Sequence, residues 1–80
     1  MYPYTLEQYN EAVKKEFKKD YSGRYDTEEE LNEFLEDEET RKIIEEDYRA
    51  KKFLYEGNKK DVMNSIEKEV ASTVSGLSMF

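Results

Sequence analysis

Cysteine, histidine and tryptophan are absent from the 80 residues. Without cysteine or histidine there is no disulfide framework and no thiol or imidazole nucleophile. Zinc sites of the usual type and haem ligated by either residue are excluded as well. A di-iron bundle built on Glu-x-x-His pairs is excluded for the same reason. The chain also lacks any long apolar run. Segments such as Phe53-Leu54-Tyr55 are the longest, far below the roughly 20 residues that span a bilayer. The opening Met1-Tyr2-Pro3-Tyr4 has neither the basic nor the apolar region of a secretory signal, so a cytoplasmic protein is expected. Only 3 glycines occur, and none sits in a Gly-x-x-x-x-Gly-Lys or Gly-x-Gly-x-x-Gly loop that would cradle phosphate. Asp37 to Asp47 is acidic enough for a calcium loop but has no glycine for its sharp turn. Ser65 and Lys68 share one helical side, a spacing common by chance. The expectation is a non-enzymatic chain with no catalytic, metal or cofactor-binding residues.

What the chain has is charge and aromatic rings. Charged residues make up 41% and hydrophobic residues 36%, with a net charge of -7. A domain this short buries only about 60% of its unfolded surface. The 7 tyrosines and 4 phenylalanines offset that, since each ring can bury roughly 150–250 Å². Acidic disordered segments are poor in aromatics, so the composition points to one folded domain over residues 1–80. The charge is uneven. Residues 1–25 carry a net +1, residues 26–47 a net -10 and residues 48–80 a net +2.

Periodicity predicts an all-α bundle of three to four helices, with an extended N-terminus and a short apolar C-terminal tail. Thr5 and Gln8 form a capping box, framed by a Tyr4–Tyr9 staple. Leu6, Tyr9, Val13 and Phe17 then recur at helical spacing, and Gly23 is placed to end the helix in the left-handed region. Thr27 with Glu30 opens a second helix that buries Leu31, Phe34 and Leu35 and ends near Glu36. Asp37 caps a third over about 38–56, closed by Gly57, with Ile43, Ile44, Tyr48, Ala50, Phe53, Leu54 and Tyr55 as a broad apolar stripe. Its Glu45–Arg49 and Asp47–Lys51 pairs have the favourable i,i+4 order. One continuous helix over 28–56 is the alternative. Asn58 caps a fourth over about 59–74, with Val62, Ile66, Val70 and Val74 on one face, followed by Gly76 and the tail Leu77-Ser78-Met79-Phe80.

Two surfaces compete as the functional one. Basic strips at Lys14, Lys15, Lys18 and Lys19, and at Arg49, Lys51, Lys52, Lys59 and Lys60, are too weak against the overall acidity for direct nucleic-acid binding. The acidic segment is the stronger candidate. Glu28, Glu29, Glu30, Glu33, Glu36, Asp37, Glu38, Glu39, Glu45 and Glu46, with Asp26 and Asp47 beside them, would form a negative ridge able to meet a basic groove on a protein. The expected function is inhibition of a nucleic-acid-binding partner by occupying that groove. The alternative is a helical assembly or adaptor module, homodimeric or not, that binds through aromatics at element ends. Its contact residues would be Tyr2, Tyr4, Tyr55, Leu77 and Phe80, with Tyr21 and Tyr25. In size, acidity and lack of cysteine and histidine the chain resembles small proteins encoded by phages and mobile elements, anti-defence inhibitors among them. That resemblance is of composition and implies the inhibitor.

Overall fold

The structure, a computed structural model, describes residues 2–58 and 65–79. They form four helices, α1 (Leu6–Tyr21), α2 (Glu28–Glu36), α3 (Glu38–Asn58) and α4 (Ile66–Leu77). A short 3₁₀ turn, Ser22–Arg24, joins α1 to α2, and Tyr2 to Thr5 are non-helical. No strand occurs among the described residues, so the all-α bundle is the fold.

Local chemistry sets the ends. The capping box of α1 is complete: the Gln8 N–H donates to Thr5 Oγ1 at 3.1 Å and the Thr5 N–H donates to Gln8 Oε1 at 2.9 Å. Its C-terminal end departs from expectation. Gly23 is not left-handed. The chain instead tightens into the 3₁₀ turn, closed by the Tyr25 N–H on the Ser22 carbonyl at 3.2 Å, and needs no reversal of φ. Thr27 caps α2 by accepting from the Glu30 N–H, while the Glu30 carboxylate reaches one residue further back, to the Asp26 N–H at 3.3 Å. α2 and α3 are separate helices. Asp37 breaks the rod at ψ 139° and caps α3 by accepting from the Glu39 N–H at 3.1 Å.

Two boundaries differ from the sequence reading. Gly57 does not close α3; the helix continues through Asn58, which therefore does not cap α4. Ser65 caps α4 instead, accepting from the Lys68 N–H. The expected earlier start, with Val62, lies outside the described residues. At the far end α4 runs past Gly76 to Leu77, so the first residue of the expected tail is helical, while Ser78 and Met79 form a turn. Helix favours continuing there because Leu77 completes the buried face of Val70, Thr73 and Val74.

The core is centred on α1, which packs against both α3 and α4, while α2 rests on α3. Tyr9, Val13 and Phe17 of α1 are fully covered, with Leu31 and Leu35 from α2, Ile44 and Tyr48 from α3, and Val70, Val74 and Leu77 from α4. Leu6, expected on the apolar face of α1, is exposed. The aromatic rings sort into two groups. Tyr2 packs edge-on to Tyr4 and Tyr48 and stacks on Tyr55 at 5.6 Å. Phe17 gathers Tyr21 and Phe34, at 5.2 and 5.3 Å, and Tyr25 at 6.3 Å. Such pairs contribute about 0.5–1.5 kcal/mol each beyond their area.

A polar chain crosses this core. The Lys51 ammonium donates to Tyr9 Oη at 3.0 Å, Tyr9 Oη lies 2.7 Å from Thr73 Oγ1, and Thr73 Oγ1 donates to Asp47 Oδ2 at 2.9 Å. The threonine has one hydroxyl proton and gives it to Asp47, so the tyrosine must donate to the threonine. Every proton in the chain points from cation to anion. The expected Asp47–Lys51 pair is thus joined through two hydroxyls from α1 and α4 rather than directly. Hydrogen bonds of this kind contribute about 0.5–1.5 kcal/mol each, and about 1.5–3 when one partner is charged. Thr73→Val keeps the shape but leaves the Tyr9 hydroxyl proton without its acceptor and removes a donor from Asp47. Urea denaturation is expected to show a loss of about 1–3 kcal/mol, and Tyr9→Phe in the same background should add less than it costs alone. Full additivity would mean the hydroxyls do not act as one chain.

Candidate interaction surface

The structure divides the acidic segment into parts with different surroundings. α2 carries five glutamates in its nine residues and no basic residue. Glu28, Glu29, Glu30 and Glu33 are exposed, and Glu29, Glu33 and Glu36 line one shallow outward face with Asn32. Glu36 is exposed too, but it is paired with Lys14 of α1. The Lys14 ammonium, helped by Arg41 and Lys18, holds its carboxyl below the usual range. Asp37 spends one oxygen on the α3 cap. Glu38 and Glu39 are exposed, but exposed Arg41 and Lys42 follow within the same turn of α3, after buried Thr40. Glu45 is paired with Arg49, Glu46 is exposed, and Asp47 turns inward to Thr73. The uncompensated charge is therefore concentrated on α2, with Asp26 at its head, rather than spread evenly along a ridge from 26 to 47.

The aromatic candidates fare differently. Tyr2 is 5% exposed and Leu77 is 1% exposed, so both belong to the core and offer no contact surface. Their placement has a physical reason: Leu77 completes the buried face of α4, and the Tyr2 hydroxyl donates to the buried Glu69 carboxylate at 2.8 Å. Tyr4, Tyr21, Tyr25 and Tyr55 are half-buried against the core, and Phe80 lies outside the described residues. Hydrophobic exposure appears elsewhere. Phe53 is 74% exposed and Leu54 43% exposed on α3, although both belonged to the expected core stripe. A three-helix neighbourhood covers only one side of so broad a stripe, and Ile44, Tyr48 and Tyr55 take that side.

The basic strips are also partly consumed. Lys51 donates to the Tyr9 hydroxyl, the Ser72 hydroxyl at 2.7 Å and the Glu69 backbone carbonyl. Its proximity to Ser72 has the look of a serine–lysine dyad, one the sequence did not suggest. These three contacts tie Lys51 of α3 to α1 and α4. Arg24 lies over the Tyr21 ring and donates to the Ser78 carbonyl, where a cation suits the C-terminal end of α4. Among the described residues no three carboxylates converge as a metal site requires, and no helix is long and apolar enough to cross a membrane. A second concavity lies between α1 and the start of α4. It is floored by Tyr4, Ala12 and Ile66 and rimmed by Glu7, Glu11 and Glu67. Compared with known proteins, the chain matches no family, no curated protein and no solved structure.

Burial first, and then the bond to Glu69, push the Tyr2 phenol well above its ordinary value near 10. Tyr55 is raised in the same direction by burial and by Glu69. The folded state thus holds these protons more tightly than the unfolded chain. Their stabilisation is complete below about pH 10 and is lost as pH rises beyond it. Urea midpoints measured from pH 8 to 11 are expected to fall steeply above pH 10 in the wild type. They should fall less steeply in Tyr2→Phe, which has no phenol proton to lose at that position. Equal slopes would remove Tyr2 as a source of the alkaline loss.

Proposed function

We propose that the chain acts by binding a protein, and that the contact is the carboxylate face of α2 set against a basic surface that nucleic acid would otherwise occupy. The observation that carries this reading is the position of Glu33. Glu28, Glu29 and Glu30 stand in the first turn of α2, where carboxylates complement the helix dipole by about 0.3–1 kcal/mol each. Helix stability alone accounts for them. Glu33 and Glu36 stand toward the other end, where a carboxylate opposes the dipole and a basic residue would be favoured. Glu36 is compensated by Lys14. Glu33 is exposed and, among the described residues, has no ion-pair partner. A residue placed against the local stability rule is a mark of a functional surface.

Charge density supports the same reading. Nine helical residues span about 13 Å, so α2 presents one carboxylate per roughly 2.7 Å of axis. Duplex DNA carries one charge per about 1.7 Å. The two densities are close enough for one basic groove to accept either. Association would be fast through electrostatic steering and would weaken as salt rises. A partner of this kind fits an inhibitor of a nucleic-acid-binding protein, in keeping with the phage-like composition.

The test uses tagged chain on beads with bacterial lysate, eluted by a salt gradient. Wild type is expected to retain a nucleic-acid-binding protein that salt or added duplex DNA releases. Glu29→Lys with Glu33→Lys should lose it by roughly tenfold or more, while Glu11→Lys with Glu67→Lys, an equal change of net charge away from α2, should keep it. Glu33→Lys alone should leave thermal stability equal or slightly higher while weakening capture. Retention that ignores salt and both double variants would overturn the reading.

A further inference from the structure

We infer that the chain self-associates through α3, as an antiparallel pair of helices centred between Phe53 and Leu54. This is independent of the α2 reading. Ala50, Phe53, Leu54 and Gly57 fall at i, i+3, i+4 and i+7, one stripe on the side of α3 opposite its buried Ile44 and Tyr48, and all four are exposed. Gly57 is informative. A glycine inside a helix costs about 1 kcal/mol relative to alanine. Gly57 has no positive φ, and a Cβ there would meet nothing within 4 Å among the described residues. Nothing described in the chain needs the missing side chain.

A two-fold axis between Phe53 and Leu54 gives it a use. It sets Ala50 of one copy opposite Gly57 of the other, so the backbones approach closely while each Phe53 lies against the other copy's Leu54. The flanking charges then match. Arg49 and Glu56 are seven residues apart and border the same edge of the stripe. An axis perpendicular to the plane of the two helices brings Arg49 of each copy beside Glu56 of the other, with an axial offset of about 3 Å. Arg49 is exposed and has guanidinium N–H donors to spare beyond its Glu45 pair. Glu56 is exposed, with its Oε1 taken by the Tyr2 N–H.

The sense of pairing follows from the net charge of -7. Phe53 is fifteen residues beyond Glu38, about 22 Å along α3. Antiparallel pairing therefore puts the two α2 helices at opposite ends, about 45 Å apart and far beyond a Debye length of about 8–10 Å. Parallel pairing would set them side by side. The contact would cover on the order of 800 Å² in total, less than the roughly 1,200 Å² of a stable interface. The dimer is accordingly weak, with a dissociation constant on the order of 0.1 mM.

Sedimentation velocity from 20 µM to 1 mM, with circular dichroism as the control for folding, tests this. Wild type is expected to pass from monomer to dimer over that range and to keep doing so at 0.5 M salt. Phe53→Glu should stay monomeric at 1 mM. Arg49→Glu and Glu56→Arg should each weaken the dimer about tenfold, and the double variant should recover to within about threefold of wild type. A wild-type chain monomeric at 1 mM, a Phe53→Glu chain that dimerises normally, or no recovery in the double variant would each overturn the assignment.

Discussion

The bundle depends on one arrangement: a cation and an anion, one helical turn apart on α3, are connected by hydroxyls that come from the two other large helices. Lys51 and Asp47 could have met directly on the surface of α3, where such a pair is worth little. Tyr9 and Thr73 stand between them instead, with hydrogen bonds of 3.0, 2.7 and 2.9 Å. The chain of donors has a direction, fixed by the charges at its ends, so each hydroxyl has one orientation. Apolar contacts among valines and leucines tolerate sliding and repacking. This chain does not, because a shift of one residue in α1 or α4 would leave a buried hydroxyl and a half-buried carboxylate unmatched. It sets the register of three helices on one another.

Around that chain the surface is partitioned by how each charge is spent. α1 supplies Lys14 to Glu36, α3 supplies Arg49 to Glu45, and Arg24 of the turn covers the carbonyl end of α4. α2 is left with carboxylates and no basic residue of its own. The exposed apolar residues of α3, Phe53 and Leu54, sit toward its other end, away from α2. The acidic face of α2 and the apolar stripe of α3 thus lie apart, and an acidic contact and an apolar contact can be used at the same time.

Much of this was legible in the residues. Thr5 with Gln8, Thr27 and Asp37 announced three helix starts, because capping is local and depends on side chains within three residues. The stretch after α3 was not, since Asn58 and Ser65 are both good caps and choosing between them requires knowing which face of α4 meets α1. Gly57 and Gly76 looked like helix stops, yet α3 and α4 run past both; at Gly76 the burial of Leu77 outweighs the preference of glycine. Tyr2 illustrates the opposite limit. Its place near a chain end suggested a free aromatic, and only the tertiary partner Glu69, 67 residues away, makes it core. For the surface, composition located the acids but not their neutralisation. That Glu36 and Glu45 are compensated while Glu33 is not follows from Lys14 and Arg49, one of which arrives from another helix.

The packing of α1 on α4 has a consequence for how the chain is made. Of the four helices, the one made earliest finds its main partner in the one made latest. Until α4 emerges, Tyr9 and Asp47 lack Thr73, and the apolar face of Val13 and Phe17 lacks Val70, Val74 and Leu77. Contacts between such distant parts of a sequence close slowly, because the loop entropy must be met first. The nascent protein therefore waits, helical in places but unlocked, and becomes a single cooperative unit only after α4 has emerged.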